Sequence, residues 1–170
     1  MALGSATHLV FEQIDLSEPV NSKTVATTLS RLVETSQLTE VLAAAVDTAA
    51  IVSFFDSELG QLAQRTGSDV LREWPFTYGL DASAVGAQSG GEVVVLQGII
   101  DMVIPTEDGL VIVDFKTDRL AEAEVNERVE KYTPQIRSYA TAAADILKQP
   151  VTTAWLYFLT PQKTVEVSLL

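Results

Sequence analysis

The chain has 170 residues, no cysteine, 47% hydrophobic residues and a formal net charge of −12. That length suits one domain with a sizeable core, and the composition excludes a disordered chain, disulfides, thiol catalysis and Cys-ligated zinc or iron–sulfur sites. No basic segment followed by an apolar one opens the chain and no apolar run is long enough to cross a bilayer, so a cytoplasmic protein away from the membrane is expected. The acidic balance argues against a protein that grips nucleic acid alone, because Lys and Arg on phosphates supply most non-specific affinity.

In chain order, Gly4 to about Asp15 reads as a short helix with Leu9, Val10 and Ile14 as apolar contacts. Residues 24–34 and 38–65 carry Ala, Leu, Val and Thr at helical spacing: Leu29, Leu32 and Val33 form one stripe, Val41, Leu42, Ala45, Val46 and Ala49 another. Gly60 and Gly67 suggest a loosened turn and a C-terminal stop. The character changes near residue 69. Leu71–Tyr78 reads as a strand bearing Glu73, with Pro75 pointing to an edge or a bulge. A Gly/Ala/Ser-rich loop follows through Gly91. Val93–Ile104 and Leu110–Lys116 are β-branched runs joined by Thr106-Glu107-Asp108-Gly109, a hairpin signal, and their apolar faces imply cover on both sides. Thr133-Pro134 resembles an N-cap with proline at the first helical position, predicting a helix over 134–148 that ends near Pro150. Strands over 152–160 and 163–169 close the chain. Residues 1–68 are thus expected as a mainly helical layer and residues 69–170 as the α/β core of one domain with a mixed sheet.

Three polar residues interrupt the buried hairpin: Asp101, Asp114 and Lys116. An ionised carboxylate in an apolar sheet is costly unless it is paired or holds a metal. Strand alternation puts Asp114 and Lys116 on one face. If Glu107 and Asp108 are the two central turn residues, Asp101 lies across from Asp114, with Cβ atoms about 4.5–5.5 Å apart, near enough to share a divalent cation. A three-residue loop would slip this register by one. The plain alternative is a structural ion pair in which Lys116 balances one Asp while the other sits at a strand end. Asp118 and Arg119 read as a solvated strand end.

Gly98-Ile99-Ile100-Asp101, then Asp114-Phe115-Lys116-Thr117-Asp118, and later Gln135 with Tyr139, resemble the motifs of PD-(D/E)XK nucleases. The form is similar to the nuclease domain of AddA/RecB helicase–nucleases. Val94–Gly98, Trp155-Leu156-Tyr157-Phe158 and Gly4-Ser5-Ala6-Thr7-His8 share that likeness, with the weakest support over 17–68. The resemblance implies an α/β, restriction-endonuclease-like mixed sheet flanked by helices. It implies Asp101 and Asp114 as metal ligands, His8 as an imidazole ligand from the first helix, and the Phe115 carbonyl completing the set. Lys116 would orient or activate the attacking water, Glu73 matches an upstream acidic position, and Gln135 and Tyr139 would contact the substrate backbone or support the site. The bland alternatives are an exposed His8 and a Gln135–Tyr139 surface pair on one helix face.

The implied cofactor is Mg²⁺, with Mn²⁺ also suited to an imidazole ligand. The implied activity is metal-dependent, exonuclease-type hydrolysis of DNA in double-strand-break repair and recombination. DNA would be delivered by an attached helicase motor, beside an AddB-like second subunit, which reconciles the acidic charge. AddB-type nuclease domains carry an iron–sulfur cysteine set, so the absence of cysteine favours the AddA side. No Gly-x-x-x-x-Gly-Lys-Ser/Thr loop is present, so the chain is expected to lack ATPase activity and to be a piece of a longer helicase–nuclease. The rival readings are a stand-alone nuclease and an inactive scaffold of the same fold that serves protein contacts.

Overall fold

The computed structural model describes residues 2–81 and 93–170. Among these, the order is α1 (Leu3–Gln13), α2 (Ser22–Glu34), α3 (Glu40–Ala45), α4 (Thr48–Asp56), α5 (Glu58–Thr66), β1 (Leu71–Asp81), β2 (Val93–Thr106), β3 (Gly109–Arg119), α6 (Val125–Leu147), β4 (Val151–Thr160) and β5 (Lys163–Glu166). The loop expected through Gly91 falls mostly on residues 82–92, outside the described residues, and β1 runs on to Asp81. No helix among the described residues is long and apolar enough to cross a membrane.

The helical run over 38–65 is broken into three short helices, each started by its own cap. Thr39, Asp47 and Ser57 side chains accept hydrogen bonds from the Leu42, Ala50 and Gly60 amides. A side-chain acceptor at such a position satisfies an amide that the first turn leaves orphaned, so each cap competes with helix continuation. Gly67 ends α5 at φ 62°, as expected of a glycine stop. Gly60 is not a loosened turn. It lies in the first turn of α5, where a Cβ would come within 2.2 Å of the Phe54 carbonyl oxygen.

The strands form one mixed sheet in the order β1-β2-β3-β4-β5, with β3 and β4 parallel and the other pairs antiparallel. A parallel pair needs a crossover connection, and α6 supplies it between β3 and β4. Val111, Val113 and Phe115 of β3 and Tyr157 of β4 pack under α1, α2 and α4. Leu110, Ile112, Ala154, Leu156 and Phe158 pack under α6. The middle of the hairpin is therefore covered on both faces, as its apolar runs predict. The far part of β2 is not: Val93, Val95 and Ile99 are exposed, and this stretch pairs with β1 alone.

Two boundaries differ from expectation. Helix α6 begins at Val125, and Pro134 lies inside it. The Glu124 carboxylate accepts the Ala121 amide at 2.7 Å in the turn leading in, and the Thr133 hydroxyl bonds the Val129 carbonyl at 2.8 Å near the proline. Burial of Val125, Ile136, Ala140 and Ala143 against the sheet outweighs the amide that proline removes. Strand β5 stops at Glu166 rather than running to residue 169.

Candidate active site

Strands β2 and β3 separate at the site. Their pairing runs from the Glu107–Asp108 turn to Met102 opposite Val113, and the same register carried one step further sets Asp101 opposite Asp114. There the Asp101 side chain replaces the ladder, its Oδ2 accepting the Phe115 amide at 2.6 Å. A two-residue turn therefore holds, and with it the cross-strand placement that depended on turn length.

On the other edge of β2, Glu73 of β1 falls at the level of Asp101, since Arg72 faces Met102 and Trp74 faces Ile100. Its φ of 48° is the left-handed region, costing a non-glycine residue on the order of 1 kcal/mol. Helix α1 brings the third member. Its Ala6, Val10 and Phe11 are buried, and the Phe11 ring stacks on Phe115 with centroids 3.8 Å apart. That packing fixes His8, whose Nδ1 lies 3.1 Å from Glu73 Oε1 and 3.3 Å from Asp101 Oδ1.

The electrostatics follow from burial. Desolvation opposes a charged His8, but hydrogen bonds to Asp101 and Glu73 and the field of both carboxylates prevail, raising its pKa to about 10. Burial, then the nearby Asp101 charge, pushes Asp114 up to about 6 against the opposing pull of Lys116. The Lys116 ammonium is 2.6 Å from Asp114 Oδ2. This is a buried ion pair, and it pulls the Asp114 pKa down against the burial that raises it. Lys116 also donates to Gln135 Oε1 at 3.1 Å, and Gln135 Nε2 donates to the Tyr139 hydroxyl at 2.8 Å. The ammonium also stands 4.1 Å over the Tyr132 ring, whose hydroxyl donates to Asp118 Oδ2 at 2.6 Å. Burial, then the bond to Asp118, pushes that phenol up to about 12 and keeps it a donor.

A cleft of about 300 Å³ opens on His8, Asp101, Asp114, Lys116, Gln135 and Tyr139 together. Donor atoms of His8, Glu73 and Asp101 lie within 4.8 Å of one another, and Asp114 is outside that close group. Glu73 and Asp101 share the His8 imidazolium while Asp114 pairs with the Lys116 ammonium, leaving one negative charge uncompensated, or two once His8 gives up its proton to act as a ligand. Carboxylate and imidazole donors gathered within 4.8 Å, with that excess negative charge, together suit a divalent cation.

All of the residues singled out in the sequence converge on this region, but not in the expected grouping. Glu73 joins His8 and Asp101, while Asp114 turns to Lys116. Gln135 and Tyr139 are no bare surface pair, because they bind Lys116 in series. Asp118 is no solvated strand end; it is half-buried against Tyr132. Tyr132 escapes any reading of the sequence that starts the helix at Pro134. With α6 begun at Val125, Tyr132, Gln135 and Tyr139 share one face at spacings of three and four.

Similarity to known proteins gives the family. A family model described as the PD-(D/E)XK nuclease superfamily matches residues 1–168. The chain belongs to that superfamily. It is 35% identical over 170 residues to the A-type subunit of the ATP-dependent helicase/nuclease of Pediococcus pentosaceus, covering 97% of this chain and 14% of that protein. The same subunits from Moorella thermoacetica and Lactiplantibacillus plantarum are each 38% identical, over 92% and 98% of this chain and 11% and 13% of theirs. The chain thus spans about one eighth of the length of these relatives. The crystal structure of SSO0001 aligns over 92% of this chain and 64% of that one, at 14% identity and a TM-score of 0.40.

Proposed function

We propose that this chain is the nuclease domain of an AddA-like helicase–nuclease and hydrolyses DNA phosphodiester bonds with a divalent cation. The observation that carries the reading is the meeting of His8, Glu73 and Asp101 beside Asp114 and Lys116 where β2 and β3 part. His8, Glu73, Asp101 and Asp114 would hold the ion, with the Phe115 carbonyl completing the protein's share. Mg²⁺ is the expected ion and Mn²⁺ an alternative that tolerates the imidazole better. When bound, such an ion lowers the pKa of water and offsets charge on the phosphate.

The chain's own groups do the rest. Lys116 faces the cleft from beside Asp114 and is placed to orient the attacking water and to balance charge on the phosphate oxygens. Gln135 and Tyr139 hold the ammonium in place and line the cleft. Phe115, through its amide, fixes the Asp101 carboxylate so that Oδ1 stays turned to His8.

In the whole protein, residues 1–170 would act as one domain of a longer cytoplasmic chain, beside a motor that delivers DNA and an AddB-like partner. The activity would be exonuclease-type resection in double-strand-break repair. The similarity to the A-type helicase/nuclease subunits along nearly the whole chain supports this. The deciding assay is Mg²⁺-dependent cleavage of linear duplex and single-stranded DNA by the wild-type chain and by Asp114→Ala. Substantial cleavage by the variant would sink the site assignment.

A further inference from the structure

The geometry points to Tyr132, tethered by Asp118, as the positioning residue that holds the Lys116 ammonium in the cleft. The inference rests on the nuclease reading and deepens it. Lys116 ends a flexible four-carbon stem, and such a side chain is a useful phosphate contact only where its head is confined. Only 13% of its side chain is exposed, and its head meets three groups: Asp114 Oδ2 at 2.6 Å, Gln135 Oε1 at 3.1 Å and the Tyr132 ring centroid at 4.1 Å. The first two are oxygen acceptors, each of which engages an ammonium proton.

The ring differs in kind. It offers its negative face to the cation without taking a hydrogen-bond donor, so the ammonium keeps a proton free for substrate oxygen. A ring can serve as such a floor only if it cannot turn away. The phenol bond to Asp118 at 2.6 Å ties the ring of α6 to β3, the strand that carries Lys116 two residues earlier. Asp118 thus accounts for its half-buried place at the end of β3, and Tyr132 for its place on the face shared with Gln135 and Tyr139.

The test uses the whole 170-residue chain with Tyr132→Phe, Tyr132→Leu, Asp118→Asn, and 3,5-difluorophenylalanine at position 132, which keeps the ring's shape while draining its negative face. Steady-state cleavage of a single-stranded oligonucleotide in Mg²⁺ is measured alongside thermal melts, Mn²⁺ calorimetry and lysine side-chain NMR. The Phe variant, which keeps the ring and loses its tether to Asp118, should lose about threefold in kcat, while the Leu and difluoro variants, which also lose the ring or its negative face, should lose about tenfold or more with KM moving less than about twofold. Asp118→Asn, whose amide oxygen can still accept from the phenol, should fall between the wild type and the Phe variant, and Mn²⁺ affinity should not move in any of the four. The Lys116 ε-methylene protons should show an upfield ring-current shift in the wild type and the Phe variant. Should the Leu variant not fold, the difluoro variant carries the same comparison.

Equal kcat for the difluoro and Phe variants, or a loss confined to KM, would overturn the proposal. A wild-type chain that fails to cleave sinks the nuclease reading and leaves the ring-current measurement to decide this one; a wild type without that shift overturns it outright.

Discussion

Asp114→Asn should make the protein more stable while ending cleavage. The carboxylate is almost fully buried, and its pKa rises from 3.8 to about 6 because burial and the Asp101 charge disfavour the anion. Each unit is worth about 1.4 kcal/mol, so the ionised group opposes folding by up to about 3 kcal/mol. Lys116 loses its ionic neighbour in the variant, which offsets part of that gain. A net rise of about 3–8 °C in Tm is expected near neutral pH for a chain of this size. The sign fixes the pH window. Below the unfolded pKa of 3.8 the side chain is protonated in both states and the two proteins should melt alike. The gap should open as pH climbs from 3.8 through about 6, and stay constant above it. Differential scanning calorimetry in a chelator between about pH 4 and 8 measures it. Adding Mg²⁺ should then raise the Tm of the wild type more than that of the variant, since ligand binding to the folded state adds stability in proportion to affinity. An Asn variant that melts below the wild type at neutral pH, or a gap that does not depend on pH, would refute the reasoning.

Asp101→Ala should abolish cleavage and also cost about 1–3 kcal/mol, because the buried Phe115 amide loses its acceptor; denaturant melts beside the nuclease assay test both. His8→Ala should weaken Mn²⁺ binding while folding persists. In the wild type, where the ring must lose a proton held to about pH 10 before it can ligate, apparent affinity should rise up to roughly tenfold per pH unit below that value, and calorimetry should find a much flatter pH dependence in the variant. Gly60→Ala should destabilise by about 1–3 kcal/mol or more, read by urea titration, because its Cβ would meet the Phe54 carbonyl oxygen at 2.2 Å. With a net charge of −12, the isolated chain should bind DNA weakly, with a log–log salt slope of magnitude below about 2 by fluorescence anisotropy; a steep slope would instead favour a stand-alone nuclease.

Much of this protein is legible in its residues taken alone. The two β-branched runs and their Glu107–Asp108 turn declare a hairpin, because a period of two and a turn signal are local properties. The charges that interrupt those runs, Asp101, Asp114 and Lys116, mark a candidate site, since ionised groups in a buried hairpin must be paired or hold a metal. What local pattern could not decide was settled between elements. Thr133-Pro134 carries the signature of a helix start, yet burial of Val125 against the sheet begins α6 nine residues before the proline and puts Tyr132 on the cleft. Glu73 reads in the sequence as one acidic position on a strand, and only a left-handed backbone and the β1–β2 register turn it to His8. His8 is marked in its own helix only by the likeness of Gly4-Ser5-Ala6-Thr7-His8 to the family, and it is held at the carboxylates by Phe11 stacked on Phe115, two rings 104 residues apart in the chain. Distances of that kind are set by packing across layers, and no window of sequence contains both partners.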